Sequence, residues 1–174
     1  MGAHFVNRAL LPVALVTLTV VGLQLAVFSA LRFDSVVVML VWLWPFTIGL
    51  TGATSLAIWG AVMSGLFFDT HSAAPFGLTI VVAVTLAYLA SRLGREGVGD
   101  LDSAAWWVTP VLGGVAGLLA PAYYVALGYG ELNFGLWRGS LLASMEVNAI
   151  AFFLLARPSA RLARAIARID GRSR

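Results

Sequence analysis

Apolar residues occupy long runs of this chain, and polar residues cluster in the short segments between them. A helix that crosses the ~30 Å hydrocarbon core of a bilayer needs about 20 residues, and six runs reach or approach that length. The runs are Ala9–Leu31, Val36–Leu50, Ala53–Phe68, Phe76–Leu93, Ala104–Leu127 and Gly139–Ala156. Backbone groups in lipid must be satisfied within the chain, so we predict an all-α, polytopic membrane bundle of about six transmembrane helices. The second and third runs are short, and whether both cross fully is left open.

Composition favours the same class of protein. Of the 174 residues, 60% are hydrophobic and 11% are charged, whereas a soluble domain has roughly 45–50% apolar and about 25% charged residues. The chain has no cysteine, which excludes disulfides and thiolate metal sites. The two histidines, His4 and His71, lie too far apart in sequence for a metal-ligand motif. We therefore expect no cofactor and no metal.

The placement of arginine predicts the orientation in the membrane. All 11 basic residues are arginine, and basic residues are enriched in cytoplasmic segments. With six spans and both termini inside, the cytoplasmic side holds Arg8, Arg92, Arg95 and the six arginines after residue 156. Only Arg32 and Arg138 then lie outside. We predict cytoplasmic N- and C-termini.

The last eighteen residues form a basic segment. We divide the chain into a transmembrane bundle, 1–156, and a basic cytoplasmic tail, 157–174, with Pro158 as the break between them. Arginines at intervals of four, three and four share one helical face, which predicts a short amphipathic helix with Leu162 among its apolar residues. Such a helix is typical of binding to anionic lipids, and docking to an acidic cytoplasmic partner is the alternative. Nucleic-acid binding is not expected, since no reading module accompanies the arginines. The arginines are Arg157, Arg161, Arg164 and Arg168.

Small residues recur at helical spacing in two of the runs. Gly113 and Gly117 form a GxxxG pattern, and Ala57, Ala61 and Gly65 repeat every four residues. Small side chains permit close helix approach, which stabilises membrane bundles through van der Waals contact. The pattern predicts packing within the chain, with packing against another subunit as the alternative.

Polar residues inside apolar runs are the strongest functional signal. Glu146 lies near the middle of the last run, and a carboxyl at that depth is costly and rare. Gln24 and Asn148 are its predicted partners in a polar network. Structural hydrogen bonding between helices, a contact with a partner or ligand, and proton relay all remain open for Glu146.

A turn between the third and fourth runs carries Asp69, Pro75 and Gly77. Proline is favoured in the first turn of a helix because its missing N–H has no helical acceptor there. We predict that Asp69 caps or tethers this turn through backbone N–H groups. An intramembrane enzyme would need Asp69 or Glu146 to act with His71. No HExxH, G-x-S-x-G or phosphate-binding glycine loop accompanies them, so we expect a protein that is not an enzyme.

Four short sequence patterns stand out along the chain. Arg32-Phe33-Asp34 precedes a tryptophan-containing run, and 65–69 (GLFFD), 75–77 (PFG) and 87–90 (AYLA) follow it. Together with the polar Gln24 and Asn148 and the basic C-terminus, these patterns resemble the MreD family of bacterial rod shape-determining proteins. The resemblance covers nearly the whole chain.

The resemblance implies a non-catalytic scaffold in the inner (plasma) membrane. Such a protein binds the single-span MreC protein and links wall-synthesis enzymes to the cell-elongation complex, which determines cell shape. The alternative is the substrate-binding membrane subunit of a vitamin-type transporter. In that case Trp42, Trp44, Glu146 and Asn148 are expected to line a ligand pocket.

Overall fold

The computed structural model describes residues 6–28, 32–33, 36–37, 39–71, 75–96, 105–126, 128 and 134–171. These residues form six α-helices, a short π-helical segment at Gln24–Phe28, and two strands of two residues each. The predicted all-helical architecture with six helices is confirmed. The helices are α1 (Val6–Leu23), α2 (Leu40–Leu50), α3 (Thr54–Asp69), α4 (Leu78–Arg95), α5 (Ala105–Ala126) and α6 (Phe134–Gly171).

Helix α2 occupies the centre of the bundle. Every residue from Val41 to Leu50 is buried, and α2 contacts α1, α3, α4 and α6. Phe46 is fully buried, and its ring packs against that of Phe152 in α6 at 5.4 Å between centroids. An apolar helix enclosed on all sides has no amphipathic face, which agrees with its uniformly apolar sequence.

Neighbouring helices in sequence run in alternating directions. Thr17 of α1 contacts Trp44 of α2, and Gln24, in the π-helical segment that continues α1, contacts Leu40, so α1 and α2 are antiparallel. Helix α3 is antiparallel to α2, because Gly60 lies near Ile48 and Ser64 near Val41. Helix α5 is antiparallel to α6, because Gly113 lies near Asn148 and Gly117 near Ser144. Helices α4 and α6 run parallel to α2. The start of α1 and the end of α6 therefore lie at the same end of the bundle.

The second predicted run differs from the structure at its start. Val36 and Val37 form strand β2, which pairs antiparallel with β1, Arg32–Phe33. Helix α2 begins only at Leu40. Valine, with its β-branched side chain, favours extended backbone, and hydropathy alone does not separate an apolar strand from a helix. Eleven residues of α2 span ~16 Å, about half of a bilayer core.

The break predicted at Pro158 is wrong, because α6 continues through it to Gly171. Proline removes one helical hydrogen bond and disfavours a helix interior by about 3 kcal/mol. Strong helix formers flank Pro158, and the buried Ala156 and Ala160 hold the adjoining turns against the bundle. The division at residue 156 therefore falls within one helix.

Two helices in the described part of the chain are long and apolar enough to cross a membrane. They cover Ala9–Val27 and Leu78–Arg95. Shorter apolar helices lie at Leu40–Leu50, Thr54–Asp69 and Trp107–Tyr123. Large apolar side chains such as Leu11 and Leu154 are about two-thirds exposed on the bundle surface, at 66% and 64%.

Candidate functional site

Two amide side chains from different helices bind the N-terminus of α2. The N–H of Leu40 donates to Oε1 of Gln24 at 2.7 Å, and the N–H of Met39 donates to Oδ1 of Asn148 at 3.1 Å. Met39 precedes α2 and supplies no side-chain cap. The first N–H groups of a helix have no acceptor within it, so Gln24 and Asn148 supply acceptors that the local sequence lacks.

This capping site is buried and its geometry is held by a further hydrogen bond. Gln24 is 0% exposed and Asn148 is 1% exposed. Nδ2 of Asn148 donates to the carbonyl of Ser144, one turn earlier on α6, at 3.0 Å. That bond directs Oδ1 toward α2. The predicted polar residues Gln24 and Asn148 thus converge on one helix end and tie α1, α2 and α6 together.

Asp69 forms a second buried capping site, at the same end of the bundle as the start of α2. Its carboxylate is 4% exposed and accepts hydrogen bonds from the N–H groups of Gly77 at 2.8 Å and Thr79 at 3.3 Å. Gly77 precedes α4 at φ +95°, a left-handed conformation that favours glycine. The N–H of Leu78 donates to the carbonyl of Pro75. A negative charge at the start of α4 is also favoured by the helix dipole.

The glycines of the GxxxG pattern face α6 of the same chain. A Cβ on Gly113 would lie 2.7 Å from the backbone oxygen of Asn148, and one on Gly117 would lie 2.6 Å from that of Ser144. A Cβ on Gly65 would likewise lie 2.6 Å from Cα of Ile80 in α4. These small residues permit helix contact within the chain, which is the first of the two alternatives raised by the sequence.

The remaining small residues of α3 are also buried. Ala57 and Ala61 are fully buried, and a Cβ on Gly60 would be 3.4 Å from Ile48 in α2. Sequence reasoning did not single out two further close contacts. A Cβ on Gly49 would lie 2.7 Å from the backbone oxygen of Ala87, and one on Gly94 would lie 2.5 Å from that of Leu50. In the sequence, Gly49 and Gly94 are recognisable only as glycines inside apolar helices, where a glycine often permits close packing.

Glu146 lies on the exposed face of α6, away from the capping site. Asn148, two residues later, is buried. Residues two apart in a helix are separated by about 200° around the axis, so the two side chains point to opposite sides. Glu146 does not join the polar network predicted with Gln24 and Asn148.

The arginines of the C-terminal segment lie on one side of α6. Arg157, Arg161 and Arg168 are exposed and Arg164 is half-buried. The buried side consists of small or apolar residues that join the core, Ala160, Ala163 and Ile166. Leu162, predicted on the apolar face, is 43% exposed. The segment packs its alanine side on the bundle and leaves Arg157, Arg161 and Arg168 exposed.

The structure does not join Asp69 and His71, the pair that an intramembrane enzyme would need. Another predicted residue, Asp34, lies outside the described residues. His71 is exposed, with Nδ1 2.9 Å from the carbonyl of Phe67, and the described hydrogen bonds do not join it to Asp69. Within the described residues, no three His, Asp or Glu side chains are grouped to hold a metal ion.

One cavity lined by described residues can be compared with the ligand pocket of the transporter alternative. A cavity of about 250 Å³ lies between α1, α2 and α6, and Trp44 is the one of the four that lines it. The Trp44 indole N–H donates to Thr17 at 3.0 Å. Trp42 is buried elsewhere on α2, and its indole N–H has no partner among the described residues. The cavity lining is otherwise apolar apart from Ser159.

Comparison with known proteins returns no relative. No family model, no curated protein and no solved structure matches the chain.

Proposed function

We propose that this chain is a non-catalytic scaffold subunit of the bacterial cell-elongation machinery, held in the inner membrane by six transmembrane helices. The observation that carries the proposal is the use of its buried polar side chains. Gln24, Asn148 and Asp69 are each engaged with the backbone N–H groups that begin another helix. Side chains that accept hydrogen bonds at helix ends stabilise the helix bundle, and a scaffold requires a stable fold.

The exposed surface supports the same proposal. Leu11, Phe76 and Leu154 are each about two-thirds exposed, and exposed apolar side chains of this size suit contact with lipid or with other membrane helices. Alternating helix directions place the start of α1 and the end of α6 at one end of the bundle, where the proposed topology has the cytoplasm. The arginine side of α6 then faces anionic lipids or a cytoplasmic partner.

The proposed partners are membrane proteins of the wall-elongation complex. A single-span MreC-like protein is the first, with wall-synthesis enzymes as further partners. Association would occur side by side in the bilayer, through van der Waals packing and interhelical hydrogen bonds. No nucleic acid, metal or cofactor enters the proposal.

Affinity purification from the source cells in a mild detergent tests this function. We expect the MreC-like protein of the same cell to co-purify with the tagged chain, and depletion of the chain to convert rods into rounded cells. A matched tag on an unrelated six-span protein is the control. A chain that purifies alone while the MreC-like protein is present, together with unchanged rod shape on depletion, would contradict the proposal.

A further inference from the structure

The cavity between α1, α2 and α6 is elongated along the helices. Its lining residues recur at intervals of four and three on two of them, so each set occupies one helical face. On α1 they are Val16, Val20 and Leu23, and on α6 they are Leu155, Ser159 and Leu162. At ~1.5 Å per residue, each set extends for ~10 Å along its helix axis. The cavity is therefore a slot that runs parallel to the helices.

The slot reaches the bundle surface at both of its ends. Leu23 and Leu162 line opposite ends and are 46% and 43% exposed. Leu23 precedes Gln24, which accepts a hydrogen bond at the start of α2. Leu162 follows Asn148, which also bonds the start of α2, by 14 residues in the parallel helix α6. The slot thus runs from the start of α2 toward the end of the bundle where the arginines of α6 lie.

The lining of the slot is suited to an apolar group. Apart from Trp44 and Ser159, every side chain that lines it is aliphatic. The indole N–H of Trp44 already donates to Thr17 at 3.0 Å. A polar ligand would lose its hydrogen bonds to water here and regain few from the protein. The lining therefore favours a hydrocarbon occupant over a polar small molecule.

The volume of the slot narrows the choice of occupant further. Apolar cavities of about 150 Å³ in proteins stay dry and take up small apolar molecules, and this one has about 250 Å³. An α-helix is about 10 Å across, which is too wide for a slot of this volume. Side chains that line an empty space lack van der Waals contacts, and a flexible hydrocarbon chain would restore them.

A positive charge lies next to the end of the slot that Leu162 lines. Arg161 directly precedes Leu162 in α6 and is exposed. A guanidinium group binds phosphate oxygens through paired, charge-assisted hydrogen bonds. Basic residues beside grooves between membrane helices bind anionic lipid headgroups on the cytoplasmic side. The hydrocarbon slot and the adjoining arginine together fit an anionic amphiphile.

We propose that this slot binds one acyl chain of an anionic membrane phospholipid, with the lipid phosphate at Arg161. The proposal rests on the membrane location given under the proposed function. The acyl chain extends from Leu162 toward Leu23, parallel to the helices. In the proposed topology the lipid belongs to the cytoplasmic leaflet, because Arg161 lies at the cytoplasmic end of the bundle.

Native mass spectrometry of the full chain in detergent tests the proposal. The purified chain is mixed with phosphatidylglycerol or with phosphatidylcholine that carries the same two palmitoyl chains. We expect one phosphatidylglycerol molecule to stay bound to each chain during activation in the gas phase. Phosphatidylcholine should be retained about fivefold less, since its headgroup has no net negative charge to pair with the arginine. The mass of the adduct separates lipid from detergent.

Substitutions that fill the slot test its position. Val20→Phe and Ser159→Phe each place a ring where the acyl chain would lie, and each should lower the retained lipid at least about fivefold, because the space is taken. The two substitutions lie on different helices, so one variant remains informative if the other does not fold. The matched control is Val111→Phe in α5, which is 54% exposed and does not line the slot. It should retain lipid like the wild type.

Substitution of the arginine tests the position of the phosphate. Arg161→Gln should lower the preference for phosphatidylglycerol over phosphatidylcholine about threefold or more, because one charge-assisted contact is lost. Retention of phosphatidylcholine should not change. The control is Arg92→Gln, which removes an exposed arginine from α4 and should leave the preference as it is.

Three results would overturn the proposal. They are adducts of detergent alone, lipid retention that both filling substitutions leave unchanged, and a lipid preference that Arg161→Gln leaves unchanged. Alkaline extraction of the cell membranes distinguishes this proposal from the proposed function. Release of the chain would remove the membrane location and both proposals with it. Slot-dependent lipid binding with unchanged cell shape after depletion would remove only the cell-elongation function.

Discussion

Asp69, the last residue of α3, accepts a 2.8 Å hydrogen bond from the backbone N–H of Gly77, which lies at φ +95° just before α4. The carboxylate replaces a cap that α4 lacks, since Gly77 has no side chain to offer. The contact fixes the direction in which α4 leaves the turn. The bundle therefore depends on one residue of α3 for the start of its next helix.

Removing this carboxylate should destabilise the bundle. Asp69→Ala leaves the N–H groups of Gly77 and Thr79 without their acceptor in a buried site, and we expect a loss of about 1–3 kcal/mol in the free energy of unfolding. Asp69→Asn keeps one acceptor oxygen and should lose less. Thermal unfolding in detergent measures both. Glu96→Gln, an exposed carboxylate beyond the end of α4, is the control and should have no effect; equal losses would contradict the capping role.

The close approach of α5 and α6 should tolerate no side chain at its glycines. Gly113→Ala would place Cβ 2.7 Å from the backbone oxygen of Asn148, and forcing such helices apart costs about 1–3 kcal/mol. Gly117→Ala should destabilise the bundle for the same reason, since its Cβ would lie 2.6 Å from the backbone oxygen of Ser144.

The matched control for these glycines is Gly22→Ala in α1, where no atom lies within 4 Å of the new Cβ. Alanine is favoured over glycine in a helix interior by about 0.5–1 kcal/mol. Its effect on the unfolding temperature should have the opposite sign from that of Gly113→Ala. A Gly113→Ala variant as stable as the wild type would show that these glycines do not face α6.

The amide caps of α2 should be needed for its first turn. Gln24→Leu and Asn148→Leu each remove the acceptor for one buried N–H, with an expected loss of about 1–3 kcal/mol per substitution. Hydrogen exchange at Leu40 should rise in Gln24→Leu. Thr19→Val, which removes an exposed hydroxyl bonded only to the Leu15 carbonyl, is the control. Unchanged protection at the start of α2 in both variants would contradict the capping site.

The continuity of α6 predicts a stabilising substitution. Pro158 is exposed and supplies no N–H to the helix. Pro158→Ala restores one helical hydrogen bond and should raise the free energy of unfolding by up to about 3 kcal/mol. Circular dichroism in detergent follows helix content and melting together. A less stable Pro158→Ala variant would indicate that the proline is needed for the helix path.

Hydropathy predicted the existence of all six helices because each is dominated by one apolar run. It did not locate the start of α2, since Val36 and Val37 are as apolar in a strand as in a helix. Hydropathy also ended α6 too early. The packing of Ala160 and Ala163 on the bundle is a tertiary contact, which hydropathy does not report. The local propensity of Pro158 was overridden by that packing.

The capping sites were predicted only in part. An acidic residue beside a turn identified Asp69, since the N–H groups that donate to its carboxylate are near in sequence. Gln24 and Asn148 were identified as polar residues in apolar runs, but their common target, the start of α2, lies 109 residues from Asn148. Whether Glu146 or Asn148 faces inward depends on how α6 is rotated. Thr17, the acceptor for Trp44, gave no signal beyond a hydroxyl in an apolar helix.

We propose that the chain crosses the membrane six times, with the arginine-rich end of α6 in the cytoplasm, and a set of reporter fusions tests this topology most directly. Alkaline phosphatase, active only outside the cytoplasm, and a fluorescent protein that matures in the cytoplasm are fused in parallel after residues 34, 52, 73, 99, 130 and 174. We predict phosphatase activity after residues 34, 73 and 130, and fluorescence after residues 52, 99 and 174. Phosphatase activity in the fusion after residue 174 would contradict the topology and the partner assignments that depend on it.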